Sequence, residues 1–293
     1  MTNAFQLGGE LTVNRIGYGT MRLAPQEPGF DPAVFHVWRA PAERQAAIAV
    51  LRRAVESGVN LIDTADAYAL GDIDDLIAAA LSPYRDDIVV AAKVGVVHPT
   101  PTEWLPLGHP AYLRQQAELC LRRLRRDQID LLQLHRVDPA YPLEDQIGAL
   151  QQLVTEGKAR HIGLSEVSVD QIRAASEIVP IASVQNLYNL TDRGADDVVE
   201  YAAAQGIAFL PWFPVAAGAH AATTGPLADV AAELEATPVQ VSLAWLLHRS
   251  PTMLPIPGTS SPAHLEENIA AARIRLSDNQ FERLSDIASG LAA

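Results

Sequence analysis

The stretch LIDTADAY, Leu61–Tyr68, runs as an apolar strand into Asp63 and sets a phenol, Tyr68, five residues later. Two further apolar runs end on ionisable groups: VVAAKVG on Lys93 and LLQLHR on His135. Each residue alone has an ordinary reading. Strands often end on Asp, an aromatic often staples the next helix, a strand-end lysine often reaches for solvent, and a histidine is as often core as catalyst. Taken together, the four make a proton-transfer set. A phenol titrates near 10, too high for an efficient acid at neutral pH, and an ammonium within a few Å favours the phenolate and lowers that value. Asp63 would keep the ammonium charged and in place, while His135 would share the proton or orient a substrate oxygen. The set reads as a general acid aimed at a carbonyl oxygen. Zinc is a rival use, but one His and one Asp are too few ligands, so no metal is expected. A Schiff base on Lys93 is a second rival, weakened because Asp63 would keep the amine protonated. Of 22 basic residues only Lys93 and Lys158 are lysines, so a chain that uses Arg elsewhere has kept an ammonium here.

Something must bring these residues together. Eight short apolar runs alternate with amphipathic helical patterns: RIGYGTM, VNLIDTA, DIVVAAKVG, IDLLQLHR, RHIGLSE, ASVQNLYN, IAFLPWFPV and TMLPIPGT. The runs are continuous rather than alternating, as expected of a parallel sheet covered by helices. Gly58, Gly157 and Gly206 stand where helix C-caps are expected. Count, order and length predict an α/β fold, a single (β/α)8 TIM barrel over residues 1–293, whose strands deliver their C-terminal residues to one mouth. A doubly wound sheet is the alternative, but GYGTMRLAPQEPG lacks the phosphate loop and helix that it needs. Irregular stretches at 24–41, 97–110 and 215–227 are predicted to form the substrate loops, with Trp38, Trp104 and Phe213 as pocket candidates.

The chain has 293 residues, 48% of them hydrophobic, and a net charge of −13. That balance argues against nucleic acid or an anionic membrane as partner; the one basic cluster, LRRLRR at 121–126, reads as a solvated helix face. Cys120 is the single cysteine, expected to be buried in a reducing compartment. No signal peptide and no apolar run of about 18 residues is found. The expectation is a cytoplasmic monomer acting on a small molecule.

The motifs GYGTM, NLIDTADAY, KVG, LLQLHR, HIGLSE, VQNLYN and IPGTSSPAHLEENI, in this order and over nearly the whole chain, resemble the aldo-keto reductase family. The resemblance implies an NADP(H)-dependent reductase of aldehydes and ketones, with the cofactor extended across the barrel mouth. It implies Tyr68 as general acid tuned by Lys93 and Asp63, with His135 placing the carbonyl. Ser165 and Gln185 would bind the nicotinamide carboxamide, with Glu166 where many members carry Asn, and Trp212 would stack on the ring with Phe213 beside it. Gly258, Thr259, Ser260 and Ser261 would lie near the phosphate, and Glu267 and Asn268 near adenine. Gly258 and His264 stand where many members have a lysine and an arginine for the 2′-phosphate. A modest preference for NADPH is therefore expected, and a lysine introduced at 258 should widen it. IPGTSSPAHLEEN resembles a bacterial branch that includes pyridoxal reductases. Some barrels of the family are instead non-catalytic NADPH-binding regulatory subunits, an alternative that the complete tetrad argues against.

Overall fold

The computed structural model describes residues 4–25, 37–216 and 224–290. Two short strands, β1 (Ala4–Leu7) and β2 (Leu11–Asn14), pair as an antiparallel hairpin that the sequence reading missed. Its turn is made by Gly8 and Gly9, both at positive φ (61° and 82°), which glycine adopts without steric cost. Seven further strands then form one parallel sheet in chain order: β3 (Tyr18–Gly19), β4 (Leu61–Asp63), β5 (Val89–Val94), β8 (Ile129–Leu134), β9 (Ala159–Ser165), β10 (Ile181–Gln185) and β11 (Ala208–Phe209). Between β5 and β8 lies a small antiparallel pair, β6 (Val96–Val97) with β7 (Leu105–Pro106), inside the loop expected at 97–110. Helices α1 (Arg44–Glu56), α2 (Asp72–Leu81), α3 (Pro110–Leu124), α4 (Leu143–Thr155), α5 (Val169–Ser176) and α6 (Asp196–Gln205) separate successive strands, and α7 (Pro226–Glu233), α8 (Pro238–Arg249), α9 (Pro262–Ala270) and α10 (Asp278–Gly290) follow β11. Gly58, Gly157 and Gly206 follow α1, α4 and α6 at φ 96°, 74° and 69°, as helix ends require.

The eighth expected run, 252–259, forms one isolated parallel bridge, Phe209 with Met253. Pro255 and Pro257 have no N–H to give a ladder, which is why a longer strand does not form. The segment nonetheless bonds to both sides: Leu254 N–H donates to Phe209 O at 2.8 Å, and Gly17 N–H donates to Pro255 O at 2.9 Å. Buried Arg15 braces this seam, donating to the carbonyls of Met253 (2.9 Å), Leu247 (3.2 Å) and Ser250 (2.9 Å).

Side chains alternate between the two faces of each strand. Ile62, Val90, Ala92, Leu132 and Val184 pack with the helices in the larger core. Leu61, Val89, Ala91 and Leu131 face the other way and form a second core with Leu7 and Val13 of the hairpin, which plugs this end. Asp63, Lys93 and Gln133 each lie two residues beyond one of these inward residues, so they share the inner face one layer higher. Register sets their heights: Lys93 lies opposite Gln133, Gln133 opposite Gly163, and Gln185 opposite Ser165. Gly163 leaves room for this layer, since a Cβ there would lie 2.2 Å from Ser183 Oγ and 2.9 Å from Gln133 Cγ.

Part of the substrate-loop expectation falls at 26–36 and 217–223, outside the described residues. The 97–110 loop is anchored at its far end, where Leu107 N–H donates to Gly95 O (3.0 Å) and Gly108 N–H to Asp138 Oδ2 (2.9 Å). Cys120 is buried in α3. No helix among the described residues is long and apolar enough to cross a membrane.

Behind β4 the turn that carries Tyr68 rests on a buried carboxylate. Asp74, in the first turn of α2, is fully buried and accepts from Thr64 Oγ at 2.8 Å, with the Cys120 thiol also acting on it, while Asp66 beside it is buried too. Burial lifts the Asp74 carboxyl from 3.8 to about 7 and raises Asp66 well above its usual range, with Asp74 adding to the effect. Asp74 therefore binds its proton more tightly in the folded than in the unfolded chain. Its stabilisation is complete below about pH 4 and is lost as pH rises through about 7. Asp74→Asn, which keeps an acceptor for Thr64, is expected to gain stability relative to the wild type across that window, by several kcal/mol. Denaturant unfolding at pH 4.5 and pH 8 checks this; an equal difference at both values rejects it.

Candidate active site

Lys93 is fully buried, and Asp63 is 2% exposed. The ammonium donates to Asp63 Oδ2 at 2.6 Å, to Thr64 O at 3.0 Å and to Tyr68 Oη at 3.4 Å. An ammonium has three N–H donors and no acceptor, so this one is fully used, and Tyr68 must be an acceptor in the contact. The phenolic proton is thereby left to point elsewhere. Asp63 is held from two other strands as well, its Oδ1 accepting from Gln185 Nε2 (2.9 Å) and Gln133 Nε2 (3.3 Å).

Burial pushes the Tyr68 phenol above its ordinary 10, with Lys93 pulling it back only in part and Asp63 pushing it up again. This reverses the direction expected from the sequence. The phenol has lost its water, and much of the ammonium's field is spent on Asp63. Burial works against the Lys93 ammonium, yet Asp63 and Tyr68 hold its pKa above the usual lysine value. His135 is driven well below 6.5 by burial, then by the charges of Lys93 and Arg136, so the imidazole is neutral at neutral pH. Its ring stands edge-on to Tyr68 with centroids 6.2 Å apart, and its Nδ1 is buried with no partner among the described residues.

These groups form one end of a continuous cleft of about 830 Å³, within the range of small-molecule and cofactor sites. Tyr68, His135, Arg136 and Trp104 line the tetrad end, Ser165, Gln185, Trp212 and Phe213 the middle, and Gly258, Thr259, Ser260, His264, Glu267 and Asn268 the far end. Lys93 lies beneath this wall. Three other anticipated residues do not line it. Glu166 is exposed, and its Oε1 accepts from Leu187 N–H (2.7 Å) and Trp212 Nε1 (2.5 Å), so it holds the indole. Ser261 caps α9, accepting from His264 N–H at 3.4 Å. Trp38 stands behind His98, 6.4 Å from it. At the far end Thr237 Oγ donates to Glu267 Oε1, and Tyr18 Oη donates to Thr259 O at 2.5 Å.

Gly258 and Gly19 approach closely. A Cβ at Gly258 would lie 2.6 Å from Gly19 O and 3.2 Å from Arg22 Cγ. A lysine at 258 thus collides with backbone, which corrects the expectation that it would improve the site. Arg22 lines the cleft here, so a cation is present beside 258, supplied from the loop after β3.

The sequence reading also passed over Gln133, Arg136 and His98. Gln133 interrupts an apolar run two residues before His135, and that polar residue on the inward face was the available signal. Arg136 follows His135 directly and lines the cleft. His98 packs against Trp104 with ring centroids 3.8 Å apart; burial takes it to about 4, so it is neutral.

The sequence profile of the Aldo/keto reductase family matches residues 15–289. The chain is 44% identical over 278 residues to an uncharacterized oxidoreductase of Schizosaccharomyces pombe, covering 95% of this chain and 88% of that protein. It is 42% identical to pyridoxine 4-dehydrogenase of Escherichia coli, over 98% of both. Among solved structures it resembles an aldo/keto reductase from Klebsiella pneumoniae in complex with NADP and acetate, with 28% identity, a TM-score of 0.81 and coverage of 98% of this chain and 96% of that one. Order, spacing and a match running almost end to end lead to one conclusion: the chain belongs to the aldo/keto reductase family.

Proposed function

We propose that the protein is an NADP(H)-dependent oxidoreductase that reduces aldehydes and ketones to alcohols, on a (β/α)8 barrel in which segment 252–256 is the eighth stave. The observation that carries the reading is the Lys93 ammonium held between the Asp63 carboxylate and the Tyr68 oxygen. Tyr68, accepting from Lys93, turns its own proton toward the cleft. Neutral His135 lies in the same wall and would hold the carbonyl oxygen. The raised phenol pKa suits this role: the acid is fully protonated at rest, and the alkoxide that it meets in the reaction is far more basic. Once its proton is given up, the phenolate faces a fixed ammonium, which needs no reorganisation to stabilise it.

The cleft has the volume of a cofactor site, with two close-packed glycines and cationic Arg22 in its wall. NADP and NADPH complexes of Klebsiella pneumoniae relatives at 28% and 27% identity support NADP(H) as the cofactor. When bound, it supplies hydride to the carbonyl carbon. Ser165 and the free Oε1 of Gln185 would take the carboxamide, Trp212 the ring, and the 258–268 segment with Arg22 the phosphates and adenine. Glu166 acts by fixing Trp212. The Escherichia coli relative named pyridoxine 4-dehydrogenase supports an aromatic aldehyde of the pyridoxal type as substrate. NADPH consumption with a panel of aldehydes that includes pyridoxal tests the reading; no turnover of any of them rejects it.

Three variants probe the parts. Tyr68→Phe is expected to lower kcat by 10²–10⁴-fold, the contribution of a general acid, with NADPH affinity kept within a few-fold; turnover above about a tenth of wild type contradicts the assignment. Lys93→Arg is expected to lose at least about 10²-fold in single-turnover reduction, because a planar fork cannot match three acceptors arranged around a compact, fully buried ammonium. Circular dichroism and cofactor fluorescence separate that loss from unfolding, and near-wild-type turnover contradicts the role. Gly258→Ala is expected to weaken NADPH binding by about tenfold or more, since a Cβ within van der Waals contact of backbone must displace it; fluorescence titration giving unchanged affinity shows that the approach of Gly258 to Gly19 is not part of the cofactor site.

A further inference from the structure

Arg136 has no part in the mechanism derived above, yet it occupies the tetrad end of the cleft beside His135. Among the described residues its hydrogen bonds run from Nη1 to His135 O at 2.6 Å and to Ser165 Oγ at 3.0 Å. The two contacts pin the guanidinium plane to the rims of β8 and β9. A guanidinium has five N–H donors in a rigid fork, so Nε and Nη2 remain. Neither is a buried atom lacking a partner, so both reach accessible space, and the residue lines the cleft.

Asp63 and Lys93 neutralise each other at 2.6 Å, and His135 is neutral. Glu166 balances part of the Arg136 charge through space while its Oε1 accepts from Leu187 N–H and Trp212 Nε1. The cleft wall also carries the apolar Met21, Ala24, Pro25 and Trp104, with Arg22 as a second cation. A chain of net charge −13 repels anions at long range, so a pinned cation with open donors in a partly dry cleft gives local selectivity of the opposite sign.

We propose that Arg136 is a specificity-determining residue, and that the substrates are carbonyl compounds carrying an anionic oxygen next to the carbonyl, placed on Nε and Nη2. The proposal rests on the carbonyl-reductase reading and names its substrate class. That oxygen has two possible sources, an α-carboxylate or an ortho-phenolate, and the geometry suits either.

The experiment compares kcat/KM for matched pairs with the wild-type holoenzyme and NADPH at pH 8. Phenylglyoxylate against its methyl ester tests the carboxylate source; 3-hydroxypyridine-4-carbaldehyde against pyridine-4-carbaldehyde tests the phenolate source. The wild type is expected to prefer the anionic member of at least one pair by about 10–100-fold, the range of one charge-assisted hydrogen bond. Arg136→Gln is expected to collapse that ratio toward one, and Arg136→Lys to restore part of it, whatever the absolute rates. Using the ratio removes losses common to both substrates, including any effect through Ser165. Calorimetric binding of phenylacetate and of phenylacetamide to the NADP+ complex gives a second readout that needs no turnover, the acid being expected to bind more tightly in the wild type only. A wild type that reduces the neutral members equally well or better overturns the proposal while leaving the reductase reading intact, as does an anionic preference that survives in Arg136→Gln. Failure to reduce any of the four compounds rejects the reductase reading itself.

Discussion

An ammonium and a carboxylate buried 2.6 Å apart in the middle of a hydrophobic sheet are the constraint around which the rest of this protein is arranged. Removing two charges from water costs several kcal/mol each, which Coulomb attraction repays only with good geometry and full hydrogen bonding. Both conditions are met here. Lys93 spends all three donors, and Asp63 receives from Lys93, Gln133 and Gln185, that is, from β5, β8 and β10. A one-residue slip in any of these strands would turn a polar member outward and leave a charge unpaired. The pair thus makes register non-negotiable across half the sheet, and Tyr68 inherits its position from that register.

Much of this was legible in the sequence because strand periodicity and polarity disagree at just these points. Asp63, Lys93 and His135 end apolar runs, and a parallel fold sends such ends to one mouth. The helix-capping glycines and the strand order were equally plain. What escaped had no one-dimensional signature. The β1–β2 hairpin was overlooked because its few inward residues, Leu7 and Val13, gain meaning only from the open end of the sheet that they fill. Segment 252–259 has strand-like composition, but its prolines limit it to a single bridge.

Electrostatics were the least readable part. An ammonium near a phenol suggests a lowered pKa; the structure gives a raised one because desolvation outweighs a cation already committed to a carboxylate. Glu166, by type an acceptor for an amide, is instead an anchor for Trp212. Gly258, which looks like a lost cation, is a close approach of two backbone segments with Arg22 alongside. In each case the residue type was read correctly, and the partner that decides its role comes from a distant part of the chain.

The turn after Asp63 shows how the phenol is aimed. Ala69 and Leu70 sit at φ 48° and 53°, ahead of Gly71 at 98°, and left-handed backbone costs non-glycine residues about 1–2 kcal/mol each. Surrounding contacts hold it there: Ala69 N–H donates to Val37 O at 2.6 Å and Tyr68 N–H to Ala65 O at 3.1 Å, while Thr64 Oγ ties the start of the turn to Asp74 at 2.8 Å. The left-handed run follows Tyr68 and turns the chain into α2, while the ring stands over Lys93, 5.1 Å from the ammonium to the ring centroid, so the turn and the buried ion pair bracket one phenolic oxygen in the cleft wall.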